Sequence, residues 1–218
     1  MSITEPATVL TDYAIAIEAT LFAVRLFQSQ RWAVRLWAVW LWAVWLWAIA
    51  FIAVAIAALL GGTFHGFGTS LAYETQLWLW KPTLICLGIA SWSLALGTVL
   101  VLAPVRSRLW LGALVCLKLG VYFYWIARYN HFGFGVVDYL LGLLVVLLLA
   151  ILRLNHQPCS RWLIAGVGVS GVAALILWSG DRSGLNLSAI YHVVQMAALY
   201  LFYRGVKQFQ QATQLQRL

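Results

Sequence analysis

Residues 36–64 read LWAVWLWAVWLWAIAFIAVAIAALLGGTF and hold no charged side chain. An α-helix rises 1.5 Å per residue, so about 20 residues cross ~30 Å of hydrocarbon. This run is longer than a bilayer needs, which predicts a membrane helix that tilts or projects on one side. Working outward from it, apolar runs fall at about 8–28, 36–60, 78–103, 109–127, 134–152, 162–178 and 187–203. The chain is 64% hydrophobic and 9% charged, against roughly 25% charged in an ordinary soluble domain. Its mean hydropathy of +0.90 leaves no polar surface adequate for a water-soluble fold. The expected fold is all-α, a polytopic integral membrane bundle of seven transmembrane helices. It fills residues 1–204 and leaves no room for a sizeable extramembrane domain. Residues 205–218, rich in glutamine, form a carboxyl-terminal tail, read as a surface amphipathic helix or a frayed end.

Charge placement orients the bundle. With seven spans, one side holds Arg25, Arg31, Arg35, Arg106, Arg108, Arg153, Arg161, Arg204, Lys207 and Arg217. The other holds Lys81, Arg128 and Arg182, together with Glu5, Asp12, Glu74 and Asp181. Basic residues collect on the cytoplasmic side, so the amino terminus is expected outside and the carboxyl terminus inside. The net charge of +8 thus reads as topology, with attraction to anionic lipid as a by-product and no implication of nucleic acid. The first residues lack a basic segment before the apolar run, so no cleavable signal peptide is expected.

The long run opens with a pentapeptide repeat beginning at Trp32, Trp37, Trp42 and Trp47. Five residues advance a helix by about 140° beyond a full turn, so these tryptophans spiral rather than share a face. That argues against a cofactor stripe or dimer seam and for a helix lengthened with lipid-compatible residues, anchored at the interface by Trp32 and Trp37. Gly166-Val-Gly168-Val-Ser-Gly171 satisfies GxGxxG but lies inside an apolar run with no preceding strand, so it is no dinucleotide loop. With Ala165, Ser170, Ala173 and Ala174 it reads as a close helix–helix contact. Asn186-Leu187-Ser188 is a glycosylation sequon abutting the membrane. Cys86, Cys116 and Cys159 are scattered and suggest packed free thiols.

Ionisable groups at membrane depth mark functional sites. On the amino-terminal side lie His65, which ends the Gly61-Gly62-Thr63-Phe64 sequence, and His192, which follows Ser188-Ala189-Ile190-Tyr191. Glu74, His131, Asp138 and Gln195 fall in the same third of the membrane, with Glu18 and Lys118 deeper. Two imidazoles at one depth could ligate zinc, iron or copper, with Glu74 or Asp138 as a third group. The competing reading of Asp138 is an ion pair with Lys118, with Glu18 as the alternative partner of that lysine. His131, in Tyr129-Asn-His-Phe-Gly133, suits a turn, and Asp12 after Thr11 suits an N-cap of the first helix.

At these residues the chain resembles the alkaline ceramidase and adiponectin-receptor superfamily of seven-helix hydrolases. The resemblance rests on seven spans, a small residue and histidine closing the second, and the Ser188–His192 segment opening the seventh. It implies a metal-dependent hydrolase of lipid amides or esters, with zinc held by His65 and His192 and a carboxylate, Glu74 or Asp138, managing protons. Gly61 stands where that superfamily has serine, and Ser188 where it has the first histidine of the seventh helix. Two alternatives stay open: a bis-histidine haem protein, and a non-catalytic bundle that binds membrane lipid or a protein partner. A retinal protein is disfavoured because the last span holds no lysine, and a transporter because no two halves match.

Overall fold

A computed structural model describes residues 3–30, 38–179 and 186–215, with the side chains of 29–30, 38–40 and 213–215 left aside. Seven α-helices account for nearly all of them: α1 (Pro6–Gln30), α2 (Ala38–Phe67), α3 (Tyr73–Leu102), α4 (Val105–Tyr129), α5 (Phe132–Leu152), α6 (Cys159–Trp178) and α7 (Leu187–Leu215). A short 3-10 turn, Gly68–Ser70, joins α2 to α3. Six of the helices, α1 to α6, are long and apolar enough to cross a membrane. The seventh is more polar, carrying His192, Gln195, Arg204, Lys207 and several glutamines along its length. The protein is therefore an all-α bundle of the multi-pass membrane type.

The helices close a ring in the order α1, α2, α3, α5, α6, α7 and back to α1, with α4 set outside against α3 and α5. Accordingly α4 turns Leu109, Trp110, Leu114, Leu117 and Tyr124 outward, a face suited to lipid tails. One apolar core runs through α1, α2, α3, α5, α6 and α7. In it Phe22 of α1 stacks on Tyr203 of α7, 4.4 Å between centroids, and meets Phe51 of α2 edge-on at 5.6 Å. On α6, Gly166, Ser170 and Ala173 are buried, and a Cβ on Gly166 would stand 2.8 Å from the Phe202 ring. The GxGxxG sequence is thus mid-helix, and its first glycine admits an α7 aromatic.

The tryptophan repeat behaves less uniformly than its spiral suggests. Trp32 and Trp37 lie outside the described residues. Trp42 and Trp45 are exposed, at 65% and 43%. Trp47 is buried: its indole N–H donates to Thr98 Oγ1 at 3.4 Å, and its ring meets Phe209 of α7 edge-on at 5.6 Å. The reason is the same 140° step, which must turn one member of the series inward. Nor does the bundle end at residue 204. α7 continues to Leu215 with Val206 and Phe209 in the core, so the tail is largely part of the last helix.

Helix ends are satisfied locally. Arg153 Nε donates to the Leu102 carbonyl at 3.0 Å and Arg108 Nε to Ala103 at 3.1 Å, covering the acceptors left at the end of α3. Asn130 takes the left-handed conformation (φ 47°) that terminates α4. His131 is the N-cap of α5, its Nδ1 accepting from the Gly133 amide at 3.0 Å.

Candidate functional site at the amino-terminal end of the bundle

Two glycines set the geometry. Gly62 and Gly66 are one turn apart on α2. A Cβ on Gly62 would come within 2.8 Å of Asp12 Cβ, and one on Gly66 within 2.9 Å of Val9 Cγ2. Without side chains there, α1 lies directly against the end of α2. The segment before α1 is fastened too: the Thr4 amide donates to the Gly66 carbonyl at 3.1 Å, and the Thr4 hydroxyl lies 3.0 Å from that of Thr69. This places Glu5 beside His65, with Oε2 to Nδ1 at 3.6 Å. On the other flank α1 packs along α7.

Because α1 packs on both α2 and α7, the polar partner of His192 comes from α1. His192 Nε2 lies 3.3 Å from Asp12 Oδ1, and its Nδ1 lies 3.1 Å from the Thr11 hydroxyl. Asp12 and the His192 side chain are almost wholly enclosed, while His65 and Glu5 are partly open to the surface. Asp12 Oδ2 is buried with no hydrogen-bond partner. Around this row, Thr8 and Asn186 exchange hydrogen bonds at 3.0 and 3.2 Å, and Asn186 Oδ1 caps α7 by accepting from the Ala189 amide at 2.9 Å. The sequon asparagine is thus engaged in joining α1 to α7.

The other residues singled out in the sequence go elsewhere. Asp138 pairs with Lys118 of α4, Nζ to Oδ1 2.6 Å, and Lys118 also donates to the Ser91 hydroxyl at 3.0 Å and the Asp138 carbonyl at 3.2 Å. Ser91 in turn donates to that carbonyl at 3.0 Å. Of the two sequence readings of Asp138, the ion pair describes the geometry. Glu74 is exposed in the first turn of α3. Gln195 donates to Tyr139 of α5 at 2.9 Å and reaches Ser170 of α6 at 3.5 Å. Neither Glu74 nor Asp138 is the carboxylate beside His192; that carboxylate is Asp12.

Asp12 is also not an N-cap. α1 starts at Pro6, a favoured first helical residue, which puts Asp12 in the second turn. The sequence did hold a signal for this. Thr8, Asp12, Ile15, Ala19, Phe22 and Leu26 recur at intervals of three and four, and all are buried, so Asp12 occupies a core position of an otherwise apolar stripe.

The donor set bears on the metal expectation. Catalytic zinc takes three protein ligands and a water. Among the described residues, no group of three or more His, Cys, Asp or Glu is arranged to hold a metal ion. His192 has both ring nitrogens facing α1 groups, so zinc or a haem iron would have to displace Thr11 or Asp12. The residues present do not make a fitting zinc or haem site. What they do make is a row of hydroxyl, imidazole and carboxylate.

No curated protein and no solved structure matches the chain. A profile described as a family of unknown function (DUF6962) matches residues 7–211, a stretch containing Thr11, Asp12, His65 and His192, and the chain belongs to that family.

Proposed function

We propose that the protein is a seven-span membrane hydrolase of lipid amides or esters, amino terminus outside, working through Thr11, His192 and Asp12. The observation that carries this reading is the row itself, with Thr11 Oγ1 3.1 Å from one ring nitrogen and Asp12 Oδ1 3.3 Å from the other. With Nε2–H donating to Asp12, Nδ1 is left as an acceptor facing the threonine hydroxyl. Thr11 oxygen bonds to the substrate carbonyl carbon as its proton passes to Nδ1. That proton then goes to the leaving amine or alcohol as the C–N or C–O bond breaks. Water repeats the sequence on the acyl-threonine and releases the acid. A row at membrane depth suits a substrate whose carbonyl sits near the lipid headgroups. The resemblance to the ceramidase and adiponectin-receptor superfamily points to the same substrate class. The side-by-side packing of α7 with α1 and α6, and the basic excess at the opposite end, support seven crossings in this orientation.

One observation favours a second reading, a non-catalytic lipid-binding bundle. The Thr11 hydroxyl is also within 3.0 Å of the Ala7 carbonyl and 2.9 Å of the Thr8 carbonyl, so it can be satisfied by its own helix. Acylation separates the two. Purified protein in mixed micelles is given a p-nitrophenyl ester of a long-chain acid and digested for mass spectrometry. The hydrolase reading expects an acyl mass on the peptide bearing Thr11, abolished in Thr11→Val and His192→Ala and kept in Thr11→Ser. No acylation and no ester turnover above that of Thr11→Val leaves the binding bundle.

A further inference from the structure

At the opposite end of the molecule, α6, α7 and the loop from α5 line an open cavity of about 700 Å³. Its walls divide by chemistry. Leu154, Ala165 and Leu201 are apolar, while Asn155, His156, Gln157, Arg161 and Gln208 are polar or basic. Trp162 stands between the two sets, its indole N–H donating to Gln208 Oε1 at 2.6 Å. That bond fixes Gln208 by its oxygen and leaves its amide N–H groups as donors. The exposed Arg204 guanidinium lies over the Trp162 ring, 4.9 Å from the centroid, and adds a second cation near the cavity.

Among the described residues, no acidic side chain pairs with them. The chain has six acidic residues; none lies between Asp138 and Asp181, and none follows Asp181. Among the described residues, Arg161 enters no ion pair. Its exposed guanidinium and the exposed His156 ring therefore present donors without an acceptor at the mouth of a partly apolar pocket. Arginine suits phosphate because its planar fork gives two parallel hydrogen bonds. In a membrane bundle, helix ends lie at headgroup level, where basic pockets between helices take anionic lipid.

We infer that this cavity binds the phosphate of an anionic glycerophospholipid from the leaflet facing the carboxyl terminus. Arg161 and His156 meet the phosphodiester, Asn155 and Gln208 the headgroup hydroxyls, and Leu154, Ala165 and Leu201 the upper acyl chain. A free phosphate ion shares the charge chemistry but has no use for the apolar wall, and a zwitterionic lipid fills that wall but carries a competing cation.

Native mass spectrometry of the full chain, titrated with phosphatidylglycerol or phosphatidylcholine in one detergent, tests the inference. Phosphatidylglycerol is expected to bind at least tenfold more tightly. Arg161→Glu should erase that preference, whereas Arg106→Glu, which reverses an exposed charge outside the cavity at the same end, should keep it. Trp162→Phe, which removes the indole N–H that holds Gln208 and shrinks the ring under Arg204, should weaken binding severalfold with the helical circular dichroism unchanged, so that loss of fold is told apart from loss of site. Equal binding of the two lipids overturns the proposal, as does a preference that survives Arg161→Glu. Full competition by millimolar inorganic phosphate reassigns the site to a soluble ion and overturns it as well.

Discussion

Lys118 Nζ lies 2.6 Å from Asp138 Oδ1 within the span of the bundle, with the lysine side chain 13% and the carboxylate 4% exposed. The pair joins the outlying α4 to the ring at α5, and Ser91 brings α3 into the same knot. It sits beside a point of close backbone approach, since a Cβ on Gly142 would run into the Ser91 hydroxyl. α4 is also held to α3 by buried Tyr122, whose hydroxyl donates to the Leu84 carbonyl at 2.6 Å.

Breaking one side of the pair strands the other charge. Asp138→Leu or Lys118→Met alone should therefore cost about 3–5 kcal/mol, while the double variant Lys118→Met/Asp138→Leu should recover most of it. Thermal unfolding of all four proteins in one detergent gives the coupling. If the single losses simply add in the double variant, the two residues are not acting on each other.

Adjacent glycines on α2 should respond in opposite ways. At Gly62 a new Cβ would press on Asp12 Cβ at 2.8 Å, whereas at Gly61 the nearest atom, Thr83 Cγ2, is an ordinary contact at 3.7 Å. Gly62→Ala should destabilise by about 1–3 kcal/mol through overpacking and lower any turnover by moving Asp12 from His192. Gly61→Ala should be neutral or gain up to ~1 kcal/mol from helix propensity. Indistinguishable melting temperatures for the two variants would mean that α1 does not lie where these contacts put it.

Within the repeat, Trp47→Ala should cost about 3–5 kcal/mol, as large aromatic deletions in a core do. The exposed Trp42 should tolerate the same change within about 0.5 kcal/mol. The pentapeptides at 37–41 and 42–46 are identical, so deleting Trp42–Leu46 leaves a tryptophan in the place from which Trp45 meets Phe27, 4.9 Å away, and turns only the residues before the repeat by about 140°. Folded yield of the deletion by size-exclusion chromatography should stay near that of the wild type. A sharp fall would show that the residues before the repeat pack against specific partners.

Orientation can be read by cysteine labelling in intact cells, in a background free of Cys86, Cys116 and Cys159. The natural Cys159 is fully buried and is a poor reporter. Glu74→Cys, exposed before α3, should react with a membrane-impermeant maleimide from outside, and Arg106→Cys, exposed at the start of α4, only after permeabilisation. The reverse pattern would invert the topology.

The sequence by itself determined the class of fold, because seven apolar runs near bilayer length have one stable solution, helices whose backbone groups are satisfied internally. Counting along the runs also placed His65 and His192 at one end of the bundle, and offered an ion pair with Lys118 as one of two readings of Asp138. The α6 contact was legible as well, since Gly166, Ser170 and Ala173 recur on one face of the helix. What only the tertiary structure decided is which helices are neighbours. Depth follows from counting along one helix, but adjacency depends on packing among all seven, and no residue spacing encodes it. Because α1 packs on α2 through Gly62 and Gly66 and on α7 through Phe22, His192 meets Thr11 and Asp12 rather than Glu74 or Asp138. The same packing turned one repeat tryptophan into the core and left two outside, a choice the pentapeptide, identical at Trp37 and Trp42, could not make.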